Sequence, residues 1–214
     1  MRGSASTRPS TSSIRNGTGR SPAAAILALI KLDTAIASIP SYAIDTTQDA
    51  TGDVVTLAGY GLTGTGDTGY QPGTFGTLRY GRNAYDILFD GAPWLYGYDF
   101  DKYGDESDNL AGDTGVGTDE AMIAPGDSGG ASLVFENGVW EIVGVHEFIG
   151  CAEVGCTPLS TFGQYGGDTS VFYDSAWIDS ILTPAPEPRT WALVVIGFLG
   201  LAGVSRAARR ARPA

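Results

Sequence analysis

The stretch that decides the fold is "ASLVFENGVWEIVGVHEF", residues 131–148. Two runs rich in β-branched and aromatic residues flank Asn137-Gly138. That dipeptide favours the tight hairpin turn whose twist matches the strands beside it, so the stretch predicts an antiparallel hairpin. Upstream, "DVVTLAGYG" (53–61) reads as another strand. Short strands and Gly-rich turns continue in this manner to about residue 167. Downstream, "SVFYDSAWIDSIL" (170–182) spaces Val171, Trp177, Ile178 and Leu182 along one helical face, with Asp168, Thr169 and Ser170 as candidate caps. The pattern predicts an all-β body with one terminal helix, most simply a closed or nearly closed antiparallel barrel.

The flanks differ from this body. Residues 1–22 are rich in Ser, Thr, Arg and Gly and too poor in apolar side chains to bury a core, so they are expected to be disordered. "AAAILALI" (23–30) follows, either the apolar part of a signal peptide or a buried strand. Residues 183–190 form a Pro-rich linker. "WALVVIGFLGLAGV" (191–204) is apolar throughout and "RAARRAR" (206–212) follows it. An apolar run of this kind bounded by arginines predicts a membrane-associated tail helix over 191–214, with the arginines on the cytoplasmic side.

Charge is distributed unevenly. Residues 1–32 hold five basic residues and no acidic one, whereas all 24 acidic residues lie between Asp33 and Glu187. An acidic body repels phosphate backbones, which argues against nucleic acid as a partner. The two cysteines, Cys151 and Cys156, share one loop and are read either as a local disulfide of an exported protein or as free thiols. With His146 they make a poor zinc set. "DFDKYGDESD" (99–108) crowds hard oxygen donors, and Asp99, Asp101 and Asp105 are the calcium candidates. Leu110 stands where the closing glutamate of an EF-hand loop belongs, and a solvated acidic loop is the plainer reading.

"APGDSGGAS" (124–132) carries the chemistry. A serine hydroxyl is a weak nucleophile at neutral pH and needs a base, a group to orient that base, and donors for the oxyanion. The glycines of Gly126-Asp127-Ser128-Gly129-Gly130 let the backbone turn sharply and bring the Gly126 and Ser128 amides to one spot. A plain Gly-rich turn is the alternative in a chain of 31 glycines.

Five stretches, in order, resemble the second half of the trypsin/chymotrypsin-like serine protease family. They are "LAGYG" (57–61), with Tyr60 in place of tryptophan, "APGDSGGASLVF", "IVGVHEF" (142–148), "GCA" (150–152) and "DSAWIDSIL" (174–182). The resemblance implies the second barrel of a chymotrypsin-like fold over residues 23–182. It makes Ser128 the nucleophile, gives Gly126 and Ser128 the oxyanion amides, and sets Asp127 to pair with a freed N-terminal amine. It places Met122, His146 and Phe148 at the substrate pocket, with Met122 arguing against a Lys/Arg preference. Because Ala124 replaces the family's cysteine, it leaves Cys156 as the substitute partner for Cys151. "ILALIKL" (26–32) is similar to the segment that carries the family's aspartate, but Ile26 stands in its place.

The chain's one histidine, His146, follows the serine and falls on the groove strand, where a strand histidine is the expected role. The catalytic histidine and aspartate are therefore missing from the sequence. The expectation is an exported serine endopeptidase seen as a truncated product, with coding sequence continuing upstream, and inactive as it stands. A pseudoprotease binding module at the cell surface and a structural acidic β-protein of an extracellular matrix are the alternatives. The tail, with Pro186-Glu187-Pro188, the apolar run and the arginine cluster, resembles a PEP-CTERM sorting signal. That resemblance implies a Gram-negative exported protein, anchored at the membrane through residues 191–204 and processed by an exosortase. Beyond calcium, no cofactor is expected, and the partner is a peptide or protein substrate.

Overall fold

The computed structural model describes residues 27–105, 115–152, 155–182, 196, 198 and 199. They fall into two compact units divided between Trp177 and Ile178. The expectations for residues 1–22, the linker with Pro186, Glu187 and Pro188, and most of the 191–214 tail lie outside the described residues. Among the described residues no helix is long and apolar enough to cross a membrane.

The first unit is built on antiparallel strands: β1 (Ala43–Ile44), β2 (Val54–Gly59), β3 (Thr63–Thr65), β4 (Gly69–Gln71), β5 (Arg79–Ala84), β6 (Ile87–Phe89), β7 (Ala92–Asp99), β8 (Ala131–Glu136), β9 (Val139–Gly150) and β10 (Tyr165–Ser170). The main sheet runs β5-β2-β8-β9-β10-β7-β6, with β1 parallel to β9 and β3–β4 a separate ribbon. The β8–β9 hairpin turns at Asn137 and Gly138, which have φ of 51° and 83°. Two successive left-handed residues are what a primed turn requires, and Asn and Gly tolerate them best.

The sheet curls until its edges approach. Asn83 on β5 donates from Nδ2 to the carbonyl of Asp99 at the end of β7 (2.6 Å). This is a single side-chain bond rather than a strand ladder, so the all-β class is seen without a closed barrel. Inside the curl Val55, Leu57, Tyr85, Tyr96, Tyr98, Val134 and Val143 form the core, with Tyr85 stacked on Tyr96 at 4.4 Å.

Two local expectations are corrected. Residues 27–42 form no strand, and Ile30 and Leu32 are exposed. In this segment only Ala43–Ile44, at its end, finds a sheet partner. The helix α1 (Ser175–Leu182) starts later than the apolar spacing suggests, because Asp168–Ser170 belong to β10 and pair with β9. Ser170 still accepts a bond from Tyr173 N through its Oγ (3.2 Å), in the turn that leads to α1.

Candidate active site

Ser128 lies exposed between β2 and β9 on a loop of two consecutive turns. Asp127 N donates to Ala124 O (3.0 Å) and Gly130 N to Asp127 O (2.8 Å). Gly126 holds φ at +98°, a conformation that a side chain rarely allows. The loop is tied down on both sides. Gly129 N donates to His146 O and His146 N to Gly130 O, each at 2.9 Å, while Leu62 N donates to Pro125 O at 3.0 Å.

Asp127 is the anchor. Its Oδ1 accepts from Gly61 N (2.7 Å) and its Oδ2 from Ala124 N (2.8 Å). A Cβ on Gly59 would sit 1.9 Å from Oδ1, and one on Gly61 2.6 Å from it. That explains both glycines of "LAGYG": the strand end must pass against the carboxylate. With Asp127 turned inward, the amides of Gly126 and Ser128 donate to no group among the described residues. Unengaged amides on an exposed loop suit the binding of developing negative charge.

Among the described residues no base is hydrogen-bonded to Ser128. His146 is engaged with Asp168 instead, with its side chain shut from solvent and its Nδ1 3.1 Å from Asp168 Oδ1. The two stand opposite each other across β9 and β10. Asp168 Oδ2 accepts from Tyr85 Oη (2.6 Å) and from Ser132 Oγ. Since a carboxylate only accepts, the ring donates from Nδ1 and keeps Nε2 as its second position. Burial first, and the Asp168 charge second, push the Tyr85 phenol well above its ordinary value. This buried network of Tyr85, Ser132, His146 and Asp168 lies beneath the loop: a Cβ on Gly130 would meet the His146 ring at 2.7 Å.

The residues expected at the substrate pocket separate. Met122 and His146 border a cavity of roughly 300 Å³, which Asp127, Gly61 and Phe162 also line. Phe148 instead packs with Phe89 at 5.6 Å and Tyr165 at 6.3 Å. Cys151 and Cys156 are joined in a disulfide with Cα atoms 6.4 Å apart. Of the calcium candidates, Asp99 and Asp101 come together, but the third member of their cluster is Glu120, with ligand atoms all within 4.8 Å. Exposed Asp105 takes no part in it. Glu120 is fixed by Asp101 N on Oε1 and Val116 N on Oε2, both at 2.7 Å. Carboxylate oxygens in this arrangement are donors suited to a hard cation.

Sequence reading missed Glu120 and the whole Asp168 network. The signal for Asp168 was present: an acidic residue inside "YGGDTSV", a run with strand neighbours on both sides. No protein-family model matches the chain, and no curated protein matches it.

Proposed function

We propose that the chain carries the nucleophile-bearing part of a trypsin-like serine endopeptidase, and that without an added base it binds acyl groups but does not turn over peptides. The observation that carries this reading is the Ser128 loop, exposed and anchored through Asp127, with its Gly126 and Ser128 amides unengaged. The curled sheet is read as the second barrel of such a fold. The hydrolysis itself would pass through an acyl-enzyme on Ser128, with the proton of Oγ taken by a base that the described residues do not supply. Met122 is the proposed floor of the specificity pocket. A binding module in place of a protease is the second reading, favoured by the sequestration of His146 under Asp168.

Export fits the Cys151–Cys156 disulfide, since such bonds persist in oxidising compartments. We take residues 184–212 as a PEP-CTERM sorting signal that anchors the protein at the membrane through residues 191–204 until an exosortase acts on it. Calcium is the proposed ion for Asp99, Asp101 and Glu120. The test of the central reading uses a peptidyl boronic acid, followed by boron NMR. The wild-type chain is expected to give a tetrahedral adduct that Ser128→Ala does not, and neither should cleave a peptide. Lack of an adduct would refute the nucleophile; Ser128-dependent peptide cleavage would refute the missing base.

A further inference from the structure

Large apolar side chains stand exposed beside the Ser128 loop: Phe75 at 66%, Tyr60 at 55% and Leu78 at 55%. Gly59 pairs with Arg79 at the end of the β2–β5 ladder, and Tyr60 and Leu78 are the next residues outward. Gly76 N donates to Tyr60 O (2.8 Å), which brings the backbone of Phe75 to the same end. The chain leaving β2 is bonded to the nucleophile loop, Leu62 N to Pro125 O and Gly61 N to Asp127 Oδ1. Phe75 reaches that loop with its side chain. A Cβ on Gly126 would lie 2.7 Å from its ring, so the ring packs against the residue that supplies one of the two unengaged amides.

The backbone beside Phe75 is tied down. Thr74 accepts from Thr63 N through Oγ1 (2.9 Å) and donates from it to Gln71 O (2.7 Å), and Arg79 Nη1 donates to Thr74 O (3.2 Å). An aromatic ring held next to a candidate nucleophile, and left open to solvent, offers apolar surface that the fold itself does not bury. The stretch 60–78 holds one charged residue, Asp67, and it is paired with Lys102 at 2.7 Å. A charged side chain arriving on this side finds no uncompensated opposite charge within 60–78, whereas an apolar one gains contact with the ring.

We propose that Phe75 is a specificity-determining contact of the Ser128 site, and that it selects peptides carrying an uncharged apolar side chain next to the bound carbonyl. This rests on the reading of Ser128 as the nucleophile. A carbonyl oxygen seated on the Gly126 and Ser128 amides brings the groups on either side of that carbonyl toward the ring, and an apolar group there loses water against it. The contact is separate from the cavity bordered by Met122 and His146, which Phe75 does not line.

The experiment titrates the full chain with peptidyl α-ketoamides labelled with carbon-13 at the ketone, whose neighbouring side chain, on either side of that carbon, is benzyl, hydroxymethyl or aminobutyl. Ser128 Oγ bonds to the ketone carbon, the C=O π bond opens, and the hydroxyl proton ends on the former carbonyl oxygen. The product is a neutral hemiketal, read by its carbon-13 shift, with nothing oxidised and no group lost. The benzyl probe is expected to form the adduct about tenfold more tightly than the other two, from at least one of its two positions. Phe75→Ser should remove that preference and Phe75→Leu should keep most of it, with circular dichroism and thermal melting establishing that each variant is folded. A merely structural role for Phe75 would weaken all the probes alike and leave their ratio unchanged, which overturns the proposal. Equal adduct formation by all the probes in the wild-type chain overturns it too, with the nucleophile left standing. Absence of any adduct, from every probe, removes Ser128 as the nucleophile and the proposal with it.

Discussion

Replacing Asp168 by alanine tests whether the network beneath the Ser128 loop holds the sheet together. Asp168 is fully buried and accepts three hydrogen bonds, from Tyr85, Ser132 and His146. Its removal leaves two hydroxyls and one ring N–H in a site closed to water. A buried donor deprived of its acceptor costs about 1–3 kcal/mol, so three together set a range of roughly 3–9 kcal/mol. The hydroxyls can rotate toward other acceptors, which favours the lower half, about 4 kcal/mol. Urea unfolding followed by tryptophan fluorescence gives the difference directly. Tyr85→Phe, which removes a single donor and leaves the acceptor in place, should cost about 1–2 kcal/mol. The double variant should cost less than the sum, because the Tyr85 hydroxyl is no longer present to be stranded. A loss below about 1 kcal/mol for Asp168→Ala would mean that the network contributes no net stability, and the reasoning would fail.

Alkali provides an independent check. Burial raises the Tyr85 and Tyr98 phenols well above 10 and that of Tyr96 above it, so the folded state holds protons that the unfolded chain releases. Stability is then complete below about pH 10 and falls above it by up to about 1.4 kcal/mol per pH unit for each tyrosine, visible as cooperative tyrosinate absorbance; Tyr85→Phe should reduce that slope by one proton. Gly59→Ala places a Cβ 1.9 Å from Asp127 Oδ1 and should cost about 1–3 kcal/mol in urea unfolding, with a weaker boronate adduct. Calcium at 100 times its Kd should add about 2.7 kcal/mol, or roughly 5–10 °C in Tm, and Glu120→Gln should abolish the shift.

What the sequence made legible was local. Asn137-Gly138 announced its hairpin because the turn requires two left-handed residues in succession, and few dipeptides other than Asn-Gly supply them so readily. The Ser128 loop was legible for the same reason: its glycines answer backbone demands within a few residues. Asp168 was not, because its partners lie 22, 36 and 83 residues away in the chain and meet it only after three strands align. Read locally, an acidic residue before "TSVFYDSAW" looks like a helix cap; β9 and β7 claim it on both sides instead. Glu120 escaped notice likewise, since its approach to Asp101 depends on the loop preceding Met122 rather than on spacing within "DFDKYGD".

If Ser128 is the nucleophile proposed above, the position of His146 sets it apart from the base that would activate it. For this ring to serve Ser128 it would have to leave Asp168, strand a buried carboxylate with its charge uncompensated by the ring N–H, and vacate the floor under Gly130. Depriving a buried carboxylate of one hydrogen-bond donor costs about 1–3 kcal/mol. The ring also fills the space under the loop, where a Cβ on Gly130 would meet it at 2.7 Å, so its movement would leave the Ser128 loop without that support. The imidazole is therefore better suited to supporting the loop than to catalysis upon it, and any base for Ser128 must approach from the exposed side of the loop. That geometry makes a direct demand on experiment. In the wild-type chain, an external imidazole supplied in solution should accelerate Ser128-dependent cleavage of an activated ester, because the exposed hydroxyl can be reached from solvent. His146→Gln should preserve that acceleration if the variant remains folded. Loss of the rescue in a folded His146→Gln protein would assign the ring to the chemistry after all.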